Sequence, residues 1–177
     1  IAISNNLRVR LLDIKIDSDL VNFNLVDKKL FKPVEKSTNI NKIFVYTGYN
    51  ANNPNNEKVY NKLLVKNIQK LLPMHEFIFS EDLNLPYEKM PDIYAQCFIG
   101  LRLTENDGNA NTVQEFEAMN IPIVHNHSNY GLKWKTVDDI IDHIQNIKNC
   151  IFNYELTIII NSYKPDKLDL FKSITSC

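Results

Sequence analysis

The stretch LRLTENDGNANTVQEFEAMNIPIVHN, Leu101 to Asn126, decides the fold. The apolar run CFIGLRL ends in a polar turn that contains Gly108. A helical segment with Glu115 and Glu117 follows, and then a second apolar run, IPIVHN. Strand, turn, helix and strand in that order make one crossover unit, which joins parallel strands.

The same alternation extends outward. LVNFNLV (20–26), KIFVYTG (42–48) and EFIFS (76–80) read as strands, with EKSTNIN as a connector. VYNKLLVKNIQKLL (59–72) has apolar residues at 60, 63, 64, 68, 71 and 72, a helical period that Pro73 stops. Asn55 or Asn56 in the turn cluster NNPNNE suits a helix cap. NLPYEKMPDIYAQC contains a short helix, and helices are expected over 111–120 and 136–149, the latter capped by Thr136 with Asp138 and Asp139 in its first turn. Strands that are continuous apolar runs alternating with helices predict a doubly wound α/β domain with a parallel sheet. After residue 150 a new strand (156–160), a polar turn and a helix are expected. The tail either closes the same sheet or opens a second domain, so the chain divides into 1–150 and 151–177.

At 177 residues the chain is long enough for a full core, and its apolar fraction of 44% and charged fraction of 23% are ordinary for a globular protein. A net charge of -1 argues against nucleic acid or an anionic membrane as partner. No apolar run nears the roughly 20 residues a membrane span needs, and the N-terminus lacks a signal-peptide layout. Cys97, Cys150 and Cys177 form no CxxC pair, which fits free thiols in a reducing, cytoplasmic setting, viral or microbial. The wealth of Asn, Ile and Lys fits an AT-rich genome.

In an open α/β sheet, ligands bind beyond the carboxyl ends of the strands, where the 104–112 turn is expected. A helix starting near Asn111 offers unpaired amides to an anion, from Asn109 and Ala110 through Asn111 and Thr112. Gly108 allows close backbone approach, and Arg102 adds a guanidinium. Asp107 and Glu115 can face one crevice and accept hydrogen bonds from vicinal diols. Diphosphate and sugar are the natural guests. Asn, Gly and Asp also favour turns on purely conformational grounds, and Glu near a helix start is good capping chemistry.

DGNANTVQEFEAMNIPIV resembles the E-x7-E segment of retaining GT-B glycosyltransferases, with Asp107 in place of the usual first Glu and Glu115 seven residues before Pro122. NLVDKKLFKP (24–33) is similar to the segment that enters the donor-binding half of these enzymes, and KIFVYTGYN (42–50) to that half's first strand. The resemblance implies a Rossmann-like domain, the C-terminal half of a GT-B fold, that binds a nucleoside-diphosphate sugar without metal or other cofactor. It implies that Asp107 approaches the sugar hydroxyls, Glu115 the ribose diol and the 109–112 amides the diphosphate. The family carries an Arg and a Lys after the first strand; the loop TGYNANNPNNEK here has no Arg. Lys58 or Arg102 is expected to supply the positive charge, with Lys62 also at hand. Gly48 and Tyr49 line the same crevice, beside the strand end at 124–127. The acceptor, a glycan, protein or lipid, would be held by an N-terminal domain outside this chain, which reads as a fragment of a longer polypeptide. LTIIINSYKPDKLDLFKSITSC resembles the opening of a GT-A, family-2-type glycosyltransferase. The alternative function is a non-catalytic nucleotide-binding or scaffold module of the same descent.

His125-Asn126-His127 invites a metal-site or nuclease reading, but no carboxylate or Cys has metal-ligand spacing to it. Alternate residues of an extended chain share a face, so the two histidines point the same way at the end of a strand. Tyr46 and Tyr49 suit either base stacking or packing.

Overall fold

The computed structural model describes residues 5–19, 26–34, 41–48, 55–108, 110–128 and 130–162. The strand expected over 20–26 falls almost wholly outside these residues, as do Tyr49, Asn109 and the tail from 163.

Four short parallel strands form the sheet: β1 Lys42–Val45, β2 Glu76–Phe79, β3 Ile99–Leu101 and β4 Ile123–Val124, in the order β2-β1-β3-β4. The register runs Ile43 against Phe77 and Ile99, and Gly100 against Ile123. The helices are α1 Asn5–Asp13, α2 Asn56–Val59, α3 Lys62–Leu71, α4 Met90–Tyr94, α5 Asn111–Ala118 and α6 Val137–Ser162. The molecule is a doubly wound, Rossmann-like α/β fold.

Pleating sends alternate residues to two apolar cores. Ile43, Val45, Ile99 and Leu101 pack with Val65 and Ile68 of α3 and Ile140 and Ile144 of α6. Phe44 and Ile123 face the other way, against Tyr94 of α4 and Val113 and Phe116 of α5. Gly100 has the same outlook as Phe44, and an added Cβ there would lie 2.6 Å from the Phe116 ring. Its lack of a side chain lets α5 approach the sheet. Val26 and Phe31 complete this second core, and the Val34 amide donates to the Met119 carbonyl.

Three local features depart from expectation. The helix expected over 59–72 is two helices, because Asn61 adopts a left-handed φ of 49° and its Nδ2 donates to the Leu103 carbonyl at 2.6 Å. Asn tolerates that conformation better than most residues, and the tertiary bond rewards it. The strand expected over 156–160 is helical instead, because α6 runs unbroken to Ser162. Once a helix is nucleated each further residue adds a hydrogen bond, which outweighs the weak strand preference of β-branched residues. The N-terminal helix α1 was not signalled by any periodicity. Thr136 does cap α6: its Oγ1 accepts from the Asp139 amide, and its own amide donates to the Asp139 carboxylate.

Candidate functional site

The chain runs from β1 to β2 over one face of the sheet, then back across β1 to β3 and on to β4 over the other. The direction reverses between β1 and β3, and at such a switch point the loops leaving adjacent strands diverge and open a crevice. The loops here are 46–48 after β1 and 102–108 after β3.

The loop after β1 is held from below. Ser80, fully buried at the end of β2, accepts from the Thr47 amide at 2.8 Å and donates to the Gly48 carbonyl at 2.7 Å. Gly48 has a φ of +86°, and an added Cβ would come within 2.9 Å of Asn56 and 3.0 Å of Tyr60. The glycine is therefore required by conformation and by space.

Arg102 and Asp107 meet in the loop after β3. Arg102 donates Nε to Asp107 Oδ2 at 2.5 Å and Nη2 to Oδ1 at 3.2 Å, a bidentate pair. Its Nη1 donates to Thr112 Oγ1 at 3.3 Å, and its guanidinium lies 4.1 Å from the centre of the Tyr46 ring. Asp107 also accepts from Thr104 Oγ1 at 3.1 Å and from the Gly108 amide at 2.9 Å. Burial opposes ionisation of Asp107, but the Arg102 bonds and charge outweigh it and hold the carboxyl below its ordinary value. Burial likewise opposes the charge of Arg102, and Asp107 overrides it. The pair is charged on both sides.

His125 and His127 brace this turn from β4. His125 donates Nδ1–H to the Arg102 carbonyl at 3.3 Å, and His127 donates Nε2–H to the Thr104 carbonyl at 3.0 Å. A carbonyl only accepts, so each bond fixes a tautomer. Burial drives His125 down to about 4, leaving its imidazole neutral. Among the described residues no three His, Cys, Asp or Glu side chains cluster as a metal-binding group.

Glu115 is bonded to a different set of donors. It is 1% exposed on α5, and its Oε1 and Oε2 accept from the hydroxyls of Tyr87 and Tyr94, each at 2.8 Å. Burial raises its carboxyl above the ordinary value, against the lowering pull of the two tyrosines and Arg102. Asp107 and Glu115 were expected to open onto one crevice. Each is instead engaged by its own protein donors, because both are too buried to remain unpaired.

The other expected residues divide by position. Thr112 and Ala110 are buried at the start of α5, and Asn111 is exposed. Ala110 occupies the cap position of α5, which has no side-chain cap bond. The Gly108 amide is spent on Asp107. Lys58 is exposed on α2, while Lys62 forms an ion pair with Glu81. Tyr46 stacks on Arg102 and, edge-on, on Tyr60 at 5.2 Å, so it packs within the turn network. Tyr87, Tyr94, Ser80 and Asn61 carried no motif in the sequence. The i, i+2 spacing of the two histidines was the signal for their shared face.

A groove of about 630 Å³ lies beside the site, lined by Asn126, Trp134, Lys135, Asp139 and His143 among others. A second cavity of about 310 Å³ lies at the opposite end of the strands, lined by Val34, Cys97, Ile121 and Ile151 among others, away from the charged residues. Among the described residues no helix is long and apolar enough to cross a membrane. Comparison with protein-family models, with curated proteins and with solved structures finds no match for this chain.

Proposed function

We propose that this chain is the donor-binding domain of a glycosyltransferase that takes a nucleoside-diphosphate sugar, without metal and with retention at the anomeric carbon. One observation carries the reading: a buried, charged Arg102 stands at the switch-point crevice beside the start of α5, whose cap position holds no capping side chain. Three of the five guanidinium N–H groups are used within the protein. At most two remain for an incoming phosphate oxygen. That geometry favours Arg102 over the exposed Lys58 as the group that stabilises charge on a leaving diphosphate. A fixed cation in a site screened from water does this with little reorganisation. The resemblance assigns Asp107 to the sugar and Glu115 to the ribose, with the acceptor held by a separate domain.

The test is calorimetric titration with UDP, GDP, ADP and their sugar conjugates, repeated on Glu115→Ala after its fold has been checked by circular dichroism. Selective binding of one nucleotide, weakened in the variant, is expected. A folded wild-type chain that binds none of them sinks the proposal. A second reading, a nucleotide-binding module without transfer activity, is favoured by the four hydrogen bonds that already saturate the Asp107 carboxylate. Binding without hydrolysis or transfer of the nucleotide sugar, even in the full-length parent polypeptide, would favour that reading.

A further inference from the structure

The two tyrosines on Glu115 are held very differently. Tyr94 is 0% exposed in α4, with its ring 4.8 Å from Phe44 and 4.5 Å from Phe116. Its bond to Oε2 is part of the core. Tyr87 is 43% exposed in a single 3-10 turn, Tyr87–Lys89, that follows Pro86. Its ring lies 5.4 Å from Phe31. This turn lies between the end of β2 and α4, so it belongs to the edge of the sheet where the β1 and β3 loops emerge. One oxygen of a buried carboxylate is thus served by a fixed donor and the other by a half-exposed one.

We propose that Oε1 of Glu115 is a hydroxyl-binding position that Tyr87 fills with its own phenol, and that the vicinal diol of a bound nucleotide's ribose displaces Tyr87 while Tyr94 stays. The inference rests on the nucleotide-binding reading above. The exchange replaces one neutral O–H donor with another at the same acceptor. Glu115 is then never left unpaired, which matters because an unsatisfied buried acceptor loses its full hydration. Tyr87 makes the position selective: a ligand without a donor there cannot compensate for the phenol it expels. The phenol competes with the ligand, so its removal strengthens binding, whereas loss of Glu115 weakens it.

The experiment is titration of wild type, Tyr87→Phe and Glu115→Gln with UDP, GDP and ADP and with the 2′,3′-dideoxy form of whichever binds. Tyr87→Phe keeps the ring against Phe31. In Glu115→Gln the tyrosine hydroxyls can accept from the amide as well as donate to it. Tyr87→Phe should bind the ribonucleotide roughly twofold tighter than wild type, with no gain for the dideoxy form. Glu115→Gln should lose the preference for ribose. If Tyr87→Phe leaves ribonucleotide affinity unchanged or weaker while Glu115→Gln still loses that preference, the displacement is wrong and the donor site stands. If wild type binds the ribo and dideoxy forms alike, which requires no variant to fold, Oε1 is not a diol position and the inference falls with the Glu115–ribose assignment, while nucleotide binding stands. If no protein binds any nucleotide, the inference and the reading beneath it fall together.

Discussion

Asp107 and Glu115 stand eight residues apart, and both are largely withdrawn from water, yet they keep different company. Asp107 faces a guanidinium and its carboxyl is held down. Glu115 faces two phenols and its carboxyl is pushed up. A full charge nearby outweighs burial, while neutral donors offset only part of it. The turn around Asp107 is therefore an ionic structure. The pocket around Glu115 is a hydrogen-bonded one whose partners are interchangeable hydroxyls. The first is built to hold a shape, and the second is suited to exchanging a partner.

The largest expected effect breaks the ionic side. Asp107→Ala leaves the buried Arg102 unpaired and should lower stability by about 3–5 kcal/mol in urea denaturation. A loss under about 1 kcal/mol would mean that the pair is far better solvated than its burial implies.

Acid should separate the two regions next. Because the folded-state value of His125 lies near 4 and its ordinary value at 6.5, the unfolded chain takes up a proton first as pH falls. Stability should drop across that window, by at most about 3 kcal/mol. Glu115 acts in the opposite sense. Its raised carboxyl favours the folded state as pH falls through its folded value toward 4.5. Asp107, held low, gives stability that is lost only in stronger acid, as pH falls from 3.8 through its depressed folded value. The His125 contribution is the difference between the stability profiles of wild type and His125→Phe. Parallel profiles would refute its neutral burial.

Gly100→Ala presses on the wall shared by both regions. The new Cβ would strike the buried Phe116 ring and displace α5, which carries Thr112 and Glu115. A loss of about 2 kcal/mol is expected, read from the midpoint of thermal unfolding. An unchanged midpoint would mean that α5 yields freely. The smallest effect sharpens the comparison within the Glu115 pocket. Tyr94→Phe should lower stability by about 1 kcal/mol, and Tyr87→Phe by less than half of that, because water can replace an exposed phenol. Equal losses in denaturant titration would show that the two donors are equivalent.

The sheet was legible because apolar runs such as KIFV and CFIGL are long enough to suggest burial on both faces. The helices of the two crossovers announced themselves by period, and Thr136 by its capping spacing. The site was legible in part. Arg102, Asp107 and Thr112 lie within ten residues, so local reading brought them together. That reading did not foresee that Arg102 and Asp107 would bind each other before any ligand. The two phenols on Glu115 were not foreseen, because they lie 21 and 28 residues back, in a segment with no motif. The break at Asn61 depends on a carbonyl 42 residues on. Interactions over such separations leave no trace in periodicity or turn chemistry.

The Thr47 amide, which donates to Ser80 Oγ, carries one last consequence. Thr47 follows β1 in a segment outside the sheet ladder, where backbone amides usually exchange with deuterium in brief local openings. Here the acceptor is a hydroxyl sealed in the core at the end of another strand. Releasing this proton requires the buried Ser80 hydroxyl to move, so its exchange should be far slower than that of other amides outside the ladder. The floor of the crevice then belongs to a durable part of the molecule. Whatever adapts to a ligand must do so in the walls above it.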